Sequence, residues 1–132
     1  MTSGVANRFK GIKVWLDETY GYWCIIAKID SCRLTGDPYH FCGYVGVPKS
    51  HPWHGKDYGI GNINDPIDLI YVHGGLTFAN RFGPPITSDD WFFGFDCAHS
   101  GDSLKTCTED YVKKQVGMLA KQLKYFEDKD IK

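Results

Sequence analysis

Residues 91–102 read Trp91-Phe92-Phe93-Gly94-Phe95-Asp96-Cys97-Ala98-His99-Ser100-Gly101-Asp102. The aromatic half of this stretch favours a half-buried β-strand, and the polar half favours a turn at an exposed strand end. Side chains alternate along a strand, so the residues expected on a core face are Trp91, Phe93 and Phe95. The opposite face then carries Phe92, Gly94 and Asp96. A carboxylate beside a glycine suggests the floor of a pocket, and a simple turn-capping role for Asp96 is the alternative.

Length and composition indicate one globular domain over residues 1–132, with frayed termini at 1–13 and 127–132. The chain has 132 residues, 42% of them hydrophobic, and a net charge of −1, which favours a folded core over disorder. It contains no run of about 18 apolar residues, so we expect no membrane span. The first eight residues lack the apolar segment of a signal peptide, which predicts a cytoplasmic location.

Five cysteines occur at positions 24, 32, 42, 97 and 107, without a CxxC pair. In a cytosolic chain this pattern predicts reduced, partly buried thiols, and we expect no cofactor and no metal. A zinc site that combines cysteines with a histidine is an alternative, although the spacings fit no standard zinc pattern. The near-zero net charge argues against binding of duplex nucleic acid, which needs a strongly basic face.

Alternating apolar patterns predict a mainly antiparallel sheet of about five strands. Residues 15–29 suggest a β-hairpin, and residues 41–47 suggest the next strand, with Phe41, Val45 and Val47 on its core face. A further strand is predicted over residues 67–78, interrupted by Gly74-Gly75. The loop at residues 48–66 is long for a compact domain, which favours a functional role.

One amphipathic helix is predicted after Asp102, beginning with a capping box between Thr106 and Glu109. Its apolar stripe has helical spacing and consists of Val112, Val116, Leu119, Leu123 and Phe126. We expect this stripe to pack on the core face of the sheet. The predicted fold is therefore α+β, with one C-terminal helix across one face.

Three predicted strands carry a glycine on the face away from the helix, namely Gly46, Gly75 and Gly94. A face cleared of side chains lets a ligand approach the backbone. We expect the loop 48–66 to fold over that face as a rim. The predicted ligand-binding residues on the face, the rim and the mouth are Tyr44, His51, Lys56, Tyr58, Thr77, Phe92 and Asp102.

The predicted catalytic residues are His73, His99 and Asp96. One imidazole would take a proton from a nucleophile, the other would donate one to a leaving oxygen, and Asp96 would hold one tautomer. Lys56 would offset phosphate charge. Simpler structural roles are the alternatives. His73 would form hydrogen bonds in a turn beside Gly74-Gly75, and His51-Pro52 would shape the loop.

Three blocks of the sequence resemble a family of small proteins carried by tailed phages and prophages. The blocks are residues 42–52, with Cys42-Gly43-Tyr44-Val45-Gly46-Val47-Pro48 and His51-Pro52, then His73-Gly74-Gly75-Leu76-Thr77-Phe78, then residues 93–102. The resemblance covers roughly residues 22–126. It implies a phage accessory protein of the bacterial host cytosol rather than a part of the virion, and it implies no particular reaction.

Accessory proteins of this kind often counter host defence by removing nucleotide immune signals, an analogy of gene context only. We therefore expect a small nucleotide partner, a cyclic oligonucleotide or an ADP-ribose derivative, and metal-independent phosphodiester cleavage. A non-catalytic sponge is one alternative. The other is an inhibitor that binds a host defence protein through the aromatic loop around Trp53. Homo-oligomerisation is left open.

Overall fold

The structure, a computed structural model, describes residues 9–30, 37–58, 65–82 and 88–129. Its strands are β1 (Phe9–Asp17), β2 (Tyr22–Asp30), β3 (Tyr39–Val47), β4 (Phe78–Asn80) and β5 (Trp91–Asp96). A short 3-10 helix spans Pro66–Leu69, and the α-helix α1 spans Glu109–Lys129. No helix in these described ranges is long and apolar enough to cross a membrane.

The five strands form one antiparallel sheet in the order β1-β2-β3-β5-β4. The predicted hairpin is present as β1 and β2, which turn at residues 18–21, where Gly21 has a φ of 83°. Such a positive φ is accessible to glycine at no steric cost. The predicted α+β architecture is confirmed, with α1 packed on β2 and β3.

Alternation along the strands separates two faces, as the sequence predicted. Phe41, Val45 and Val47 of β3 join the core beneath α1, whereas Cys42 and Tyr44 belong to a smaller cluster on the other face. We call these the helix face and the open face of the sheet. β5 follows the same rule, because Phe93 and Phe95 pack on the helix face and Phe92 on the open face.

The apolar stripe of α1 is confirmed, since Val112, Val116, Leu119 and Leu123 are fully buried. The predicted capping box at Thr106 and Glu109 is wrong, because the helix begins two residues later than it requires. Thr108 is the residue that caps the helix, because its Oγ1 accepts a hydrogen bond from the N–H of Tyr111 at 3.1 Å.

The predicted strand over residues 67–78 is wrong for most of its length. Residues 66–69 form the 3-10 helix and only Phe78 enters β4, because Asp65 accepts a hydrogen bond from the N–H of Ile67 and starts a helical turn. A turn then closes where the N–H of Gly75 donates to the carbonyl of Val72 at 2.8 Å.

The termini are more ordered than predicted where the structure describes them. Residues 9–13 belong to the edge strand β1, and residues 127–129 continue α1. The predicted frayed residues 1–8 and 130–132, and residues 59–64 of the long loop, lie outside the described residues.

Candidate functional site

A cleft of about 440 Å³ lies on the open face, at the end of β5 that carries Asp96. Its apolar floor includes Cys42, Tyr44 and Phe78. Its polar wall includes Thr77, Asp96 and His99. An apolar cavity of this size with a few convergent polar groups is the usual form of a small-molecule site.

Asp102 joins the two predicted catalytic histidines. Its Oδ1 lies 3.0 Å from His73 Nε2, and its Oδ2 lies 3.1 Å from His99 Nδ1. Oδ2 also accepts a hydrogen bond from the backbone N–H of His99 at 2.9 Å. The imidazole rings are thereby held with their centroids 5.8 Å apart. We call Asp102, His73 and His99 the His-Asp cluster.

The Asp102 carboxylate is stabilised in its ionised form by this arrangement. Burial alone would raise the pKa of Asp102, but hydrogen bonds from His73 and from the backbone and ring of His99 outweigh that effect and lower it. An ionised carboxylate between two imidazoles favours the tautomers whose N–H groups point at it.

His99 is the member of the His-Asp cluster that lines the cleft, with 37% of its side chain exposed. The close approach of its ring requires the glycine at position 74, which has a φ of 69°. A Cβ at that position would overlap the His99 ring. The turn that carries His73 therefore also forms the back wall behind His99.

His73 faces away from the cleft and towards α1. Its Nδ1 lies 2.8 Å from the Tyr111 hydroxyl, and its backbone N–H donates to Gln115 Oε1 at 2.8 Å. Both ring nitrogens thus have partners inside the protein, Asp102 on one side and Tyr111 on the other. The turn beside Gly74-Gly75 that the sequence suggested is present.

Asp96 combines the two roles considered from the sequence. Its Oδ1 accepts a hydrogen bond from the N–H of Ala98 at 3.0 Å, which is a turn-capping contact. Its Oδ2 accepts one from Thr77 Oγ1 at 2.9 Å, within the cleft wall. Its carboxylate also lies 3.6 Å from His99 Nδ1, so the structure brings Asp96, Thr77 and His99 together.

The glycine-cleared face proves to be filled with rings rather than left empty. A Cβ at Gly94 would overlap the Tyr44 ring, and one at Gly46 would lie 2.7 Å from the Phe92 ring. Gly75 lies in the turn, outside any strand. The glycines serve aromatic packing, because Tyr44 and Phe92 occupy the space they leave, and the cleft opens only beyond that cluster.

None of the predicted rim residues of the loop lines the cleft, although Tyr58 contacts the backbone of its wall. His51 is buried on the helix face, where its Nε2 lies 2.9 Å from the Leu123 carbonyl. Lys56 pairs with Asp65 at 2.8 Å. Tyr58 donates from its hydroxyl to the Thr77 carbonyl at 2.9 Å, directly behind the polar wall.

Two further predicted features are buried away from any ligand or partner. Phe92 is 1% exposed and packs against Phe82 at a centroid distance of 5.0 Å. Trp53, on which the inhibitor alternative depended, is 3% exposed and stacks on Phe126. The loop therefore does not present Trp53 to a partner protein.

Sequence reasoning missed several residues of the site. His40 lines the cleft, and the alternation of β3 could have revealed it because His40 shares a face with Cys42 and Tyr44. Cys107 and Tyr111 contact His73 across 34 and 38 residues of sequence. No local pattern signals contacts of that range.

Comparison of the chain with protein-family models, with curated proteins and with solved structures gives no match.

Proposed function

We propose that the protein binds a small nucleotide signal in the cleft and cleaves a phosphodiester bond in it, with His99 as the general base. The observation that carries this proposal is the 3.1 Å contact between His99 Nδ1 and Asp102 Oδ2 at the cleft wall. With Nδ1–H donating to the carboxylate, Nε2 is the nitrogen that can accept a proton from a ligand.

In the proposed reaction, His99 removes a proton from the attacking hydroxyl or water, whose oxygen forms a bond to phosphorus. The bond to the leaving oxygen breaks, and the same imidazole returns the proton to that oxygen. Asp102 stabilises the imidazolium formed between these steps, because its charge lies against Nδ1. His73 acts as a positioning residue, since it holds the other oxygen of Asp102.

The charge of the cleft limits which ligands can bind in it. Among the described residues that line it, none is lysine or arginine, and Asp96 contributes a carboxylate. A ligand with many phosphate charges would be repelled there, whereas a cyclic dinucleotide and ADP-ribose each carry two negative charges. Asp96 can accept hydrogen bonds from ribose hydroxyls, and Phe78, which is only partly buried, offers a ring surface to a base. These features fit both cyclic dinucleotides and ADP-ribose derivatives, and a panel that contains both classes distinguishes the two.

The test is mass spectrometry of a panel of cyclic dinucleotides and ADP-ribose derivatives, before and after incubation with the protein. We expect His99→Ala to reduce turnover by about 10² to 10⁴. The matched control is His54→Ala, because His54 contacts Asp89 at the opposite end of β5. Equal turnover by the parent and His99→Ala would contradict the catalytic proposal.

Sequestration without cleavage is the second candidate. It is supported by the fixed position of Asp96 in the polar wall, where each carboxylate oxygen accepts one hydrogen bond from the protein. This arrangement suits a rigid binding site. It predicts that a nucleotide removed from solution by the protein is recovered intact after heat denaturation. This outcome would reject cleavage and retain binding.

The cellular role we propose follows from the resemblance to phage accessory proteins. Removal of a nucleotide immune signal in the host cytosol would protect the phage from a defence system that depends on that signal. Expression of the parent protein should restore phage growth on such a host, and expression of His99→Ala should not if cleavage is required.

A further inference from the structure

Three potential metal ligands meet behind the cleft, on the helix side of the His-Asp cluster. His73 Nε2, Cys97 Sγ and Cys107 Sγ all lie within 4.8 Å of one another. They come from three separate segments, namely the turn before β4, the residue after β5 and the residues before α1. Both cysteines are almost fully buried, and neither forms a disulfide.

We propose that His73, Cys97 and Cys107 bind a zinc ion, with Asp102 as the fourth ligand. Zinc in proteins is four-coordinate and tetrahedral, with Zn–S near 2.3 Å and Zn–N near 2.0–2.1 Å, which separates sulfur and nitrogen ligands by about 3.6 Å. The Cys107 Sγ to His73 Nε2 distance is 3.6 Å. The two atoms are therefore already spaced as ligands of one ion.

Asp102 is the carboxylate beside His73 Nε2, and it would have to move to complete the tetrahedron, because it does not lie within 4.8 Å of both sulfurs. Its Oδ1 lies 3.0 Å from His73 Nε2, whereas an oxygen and a nitrogen on one zinc ion are about 3.4 Å apart. Zinc binding would therefore require the Asp102 carboxylate to turn towards Cys97 and Cys107. Oδ2 would continue to accept hydrogen bonds from His99. Four protein ligands make a closed, structural site rather than a catalytic one.

The partner of the other His73 nitrogen fits this assignment. A histidine that binds zinc through Nε2 usually donates Nδ1–H to an oxygen, which fixes its tautomer and ring orientation. In this protein that oxygen would be the Tyr111 hydroxyl, 2.8 Å from Nδ1, and the proton that Nε2 directs at Asp102 in the metal-free protein would move to Nδ1. Tyr111 is held in turn by its place in the first turn of α1.

Zinc binding would break two S–H bonds and form two Zn–S bonds, and the two protons would pass to solvent. The competing explanation is that Cys97 and Cys107 are ordinary buried thiols of the core. That explanation takes the 3.6 Å contact between Cys107 Sγ and His73 Nε2 as a thiol–imidazole hydrogen bond, and the zinc content of the purified protein decides between the two. Zinc would tie the three segments together and so hold Asp102 and His99 at the cleft.

The parent protein provides the first test, by elemental analysis after purification under reducing conditions and by competition with a chromophoric zinc chelator. We expect about one tightly bound zinc per chain. Replacement by Co²⁺ should produce the visible absorption bands of tetrahedral cobalt with thiolate ligands. Protein that is isolated without metal and does not bind added zinc would overturn the proposal, as would a Cys97–Cys107 disulfide.

Variants assign the ligands. Cys97→Ser and Cys107→Ser should each lose the bound zinc, whereas Cys24→Ser should keep it, because Cys24 is a buried thiol of β2 bonded to the Tyr22 carbonyl. Tyr111→Phe should weaken zinc affinity by about 10–100-fold. Full zinc content in both Cys97→Ser and Cys107→Ser would contradict the assignment.

His99→Ala separates this inference from the proposed function. It should reduce turnover by about 10² to 10⁴ and retain zinc, because His99 is not among the four ligands. A protein that contains zinc but cleaves no nucleotide would support the metal site and contradict the proposed function. A protein that cleaves a nucleotide without bound zinc would overturn the metal site. If zinc is present, His73 cannot serve as a general acid, and the chemistry of the cleft rests on His99.

Discussion

The two faces of the sheet differ in how completely they are covered. On the helix face, α1 lies over β2 and β3, and the side chains beneath it form one continuous core. On the open face, the smaller aromatic cluster around Tyr44, Phe82 and Phe92 covers the middle of the sheet and ends before Asp96. The cleft lies where that cover stops. Stability is therefore concentrated on one face and ligand access on the other.

The largest expected difference between the faces is in the free energy of unfolding after loss of a phenylalanine. Phe93 is fully buried on the helix face, so Phe93→Ala should cost about 3–5 kcal/mol. Phe78 is only partly buried on the open face, so Phe78→Ala should cost clearly less while weakening nucleotide binding. Urea denaturation measures both losses. Equal losses would show that the two faces are equally packed.

A smaller effect is expected from adding one methyl group at the contact between sheet and helix. A Cβ at Gly43 would lie 2.6 Å from Val116 and from the Phe95 ring, so Gly43→Ala should destabilise the protein by about 1–3 kcal/mol. Gly117, on the outer side of α1, has open space around it. Gly117→Ala should stabilise by about 0.5–1 kcal/mol. If Gly43→Ala and Gly117→Ala shift the thermal unfolding temperature in the same direction, this account of the packing is contradicted.

The smallest expected effect is the difference in the free energy of unfolding lost by substitutions at two residues that pair across β1 and β2. Val14 is 49% exposed, whereas its partner Ile25 is fully buried. Ile25→Val should cost about 0.5–1.5 kcal/mol, and Val14→Thr should stay within about 0.5 kcal/mol. A larger loss at Val14 would show that the outer part of the open face is covered in solution, for example by a second copy of the chain.

The parts of the fold that follow from local patterns could be predicted. Alternation placed Phe41 and Val45 of β3 on the helix face, and helical spacing identified the buried stripe of α1. The strand predicted over residues 67–78 was wrong because Asp65 caps a 3-10 helix there. A capping hydrogen bond outweighed a weak alternation that two glycines had already interrupted.

The site was predicted in part and for partly mistaken reasons. His73, His99 and Asp96 do lie near one another, but His73 reaches the cluster from a turn rather than from a strand face. The glycines expected to clear space for a ligand accommodate Tyr44 and Phe92 instead. Alternation gives the direction of a side chain but not the identity of the group that fills the space in front of it.

The sequence by itself determined the two-faced sheet, the single helix and the acidic turn after β5, because each depends on periodicity or on neighbouring residues. Only the tertiary structure decided which groups meet at the ends of these elements. The approach of Cys107 and Tyr111 to His73, and the burial of His51 against α1, arise when segments distant in sequence pack together. Contacts between residues this far apart in sequence form only when the whole chain folds, so a local sequence pattern does not predict them.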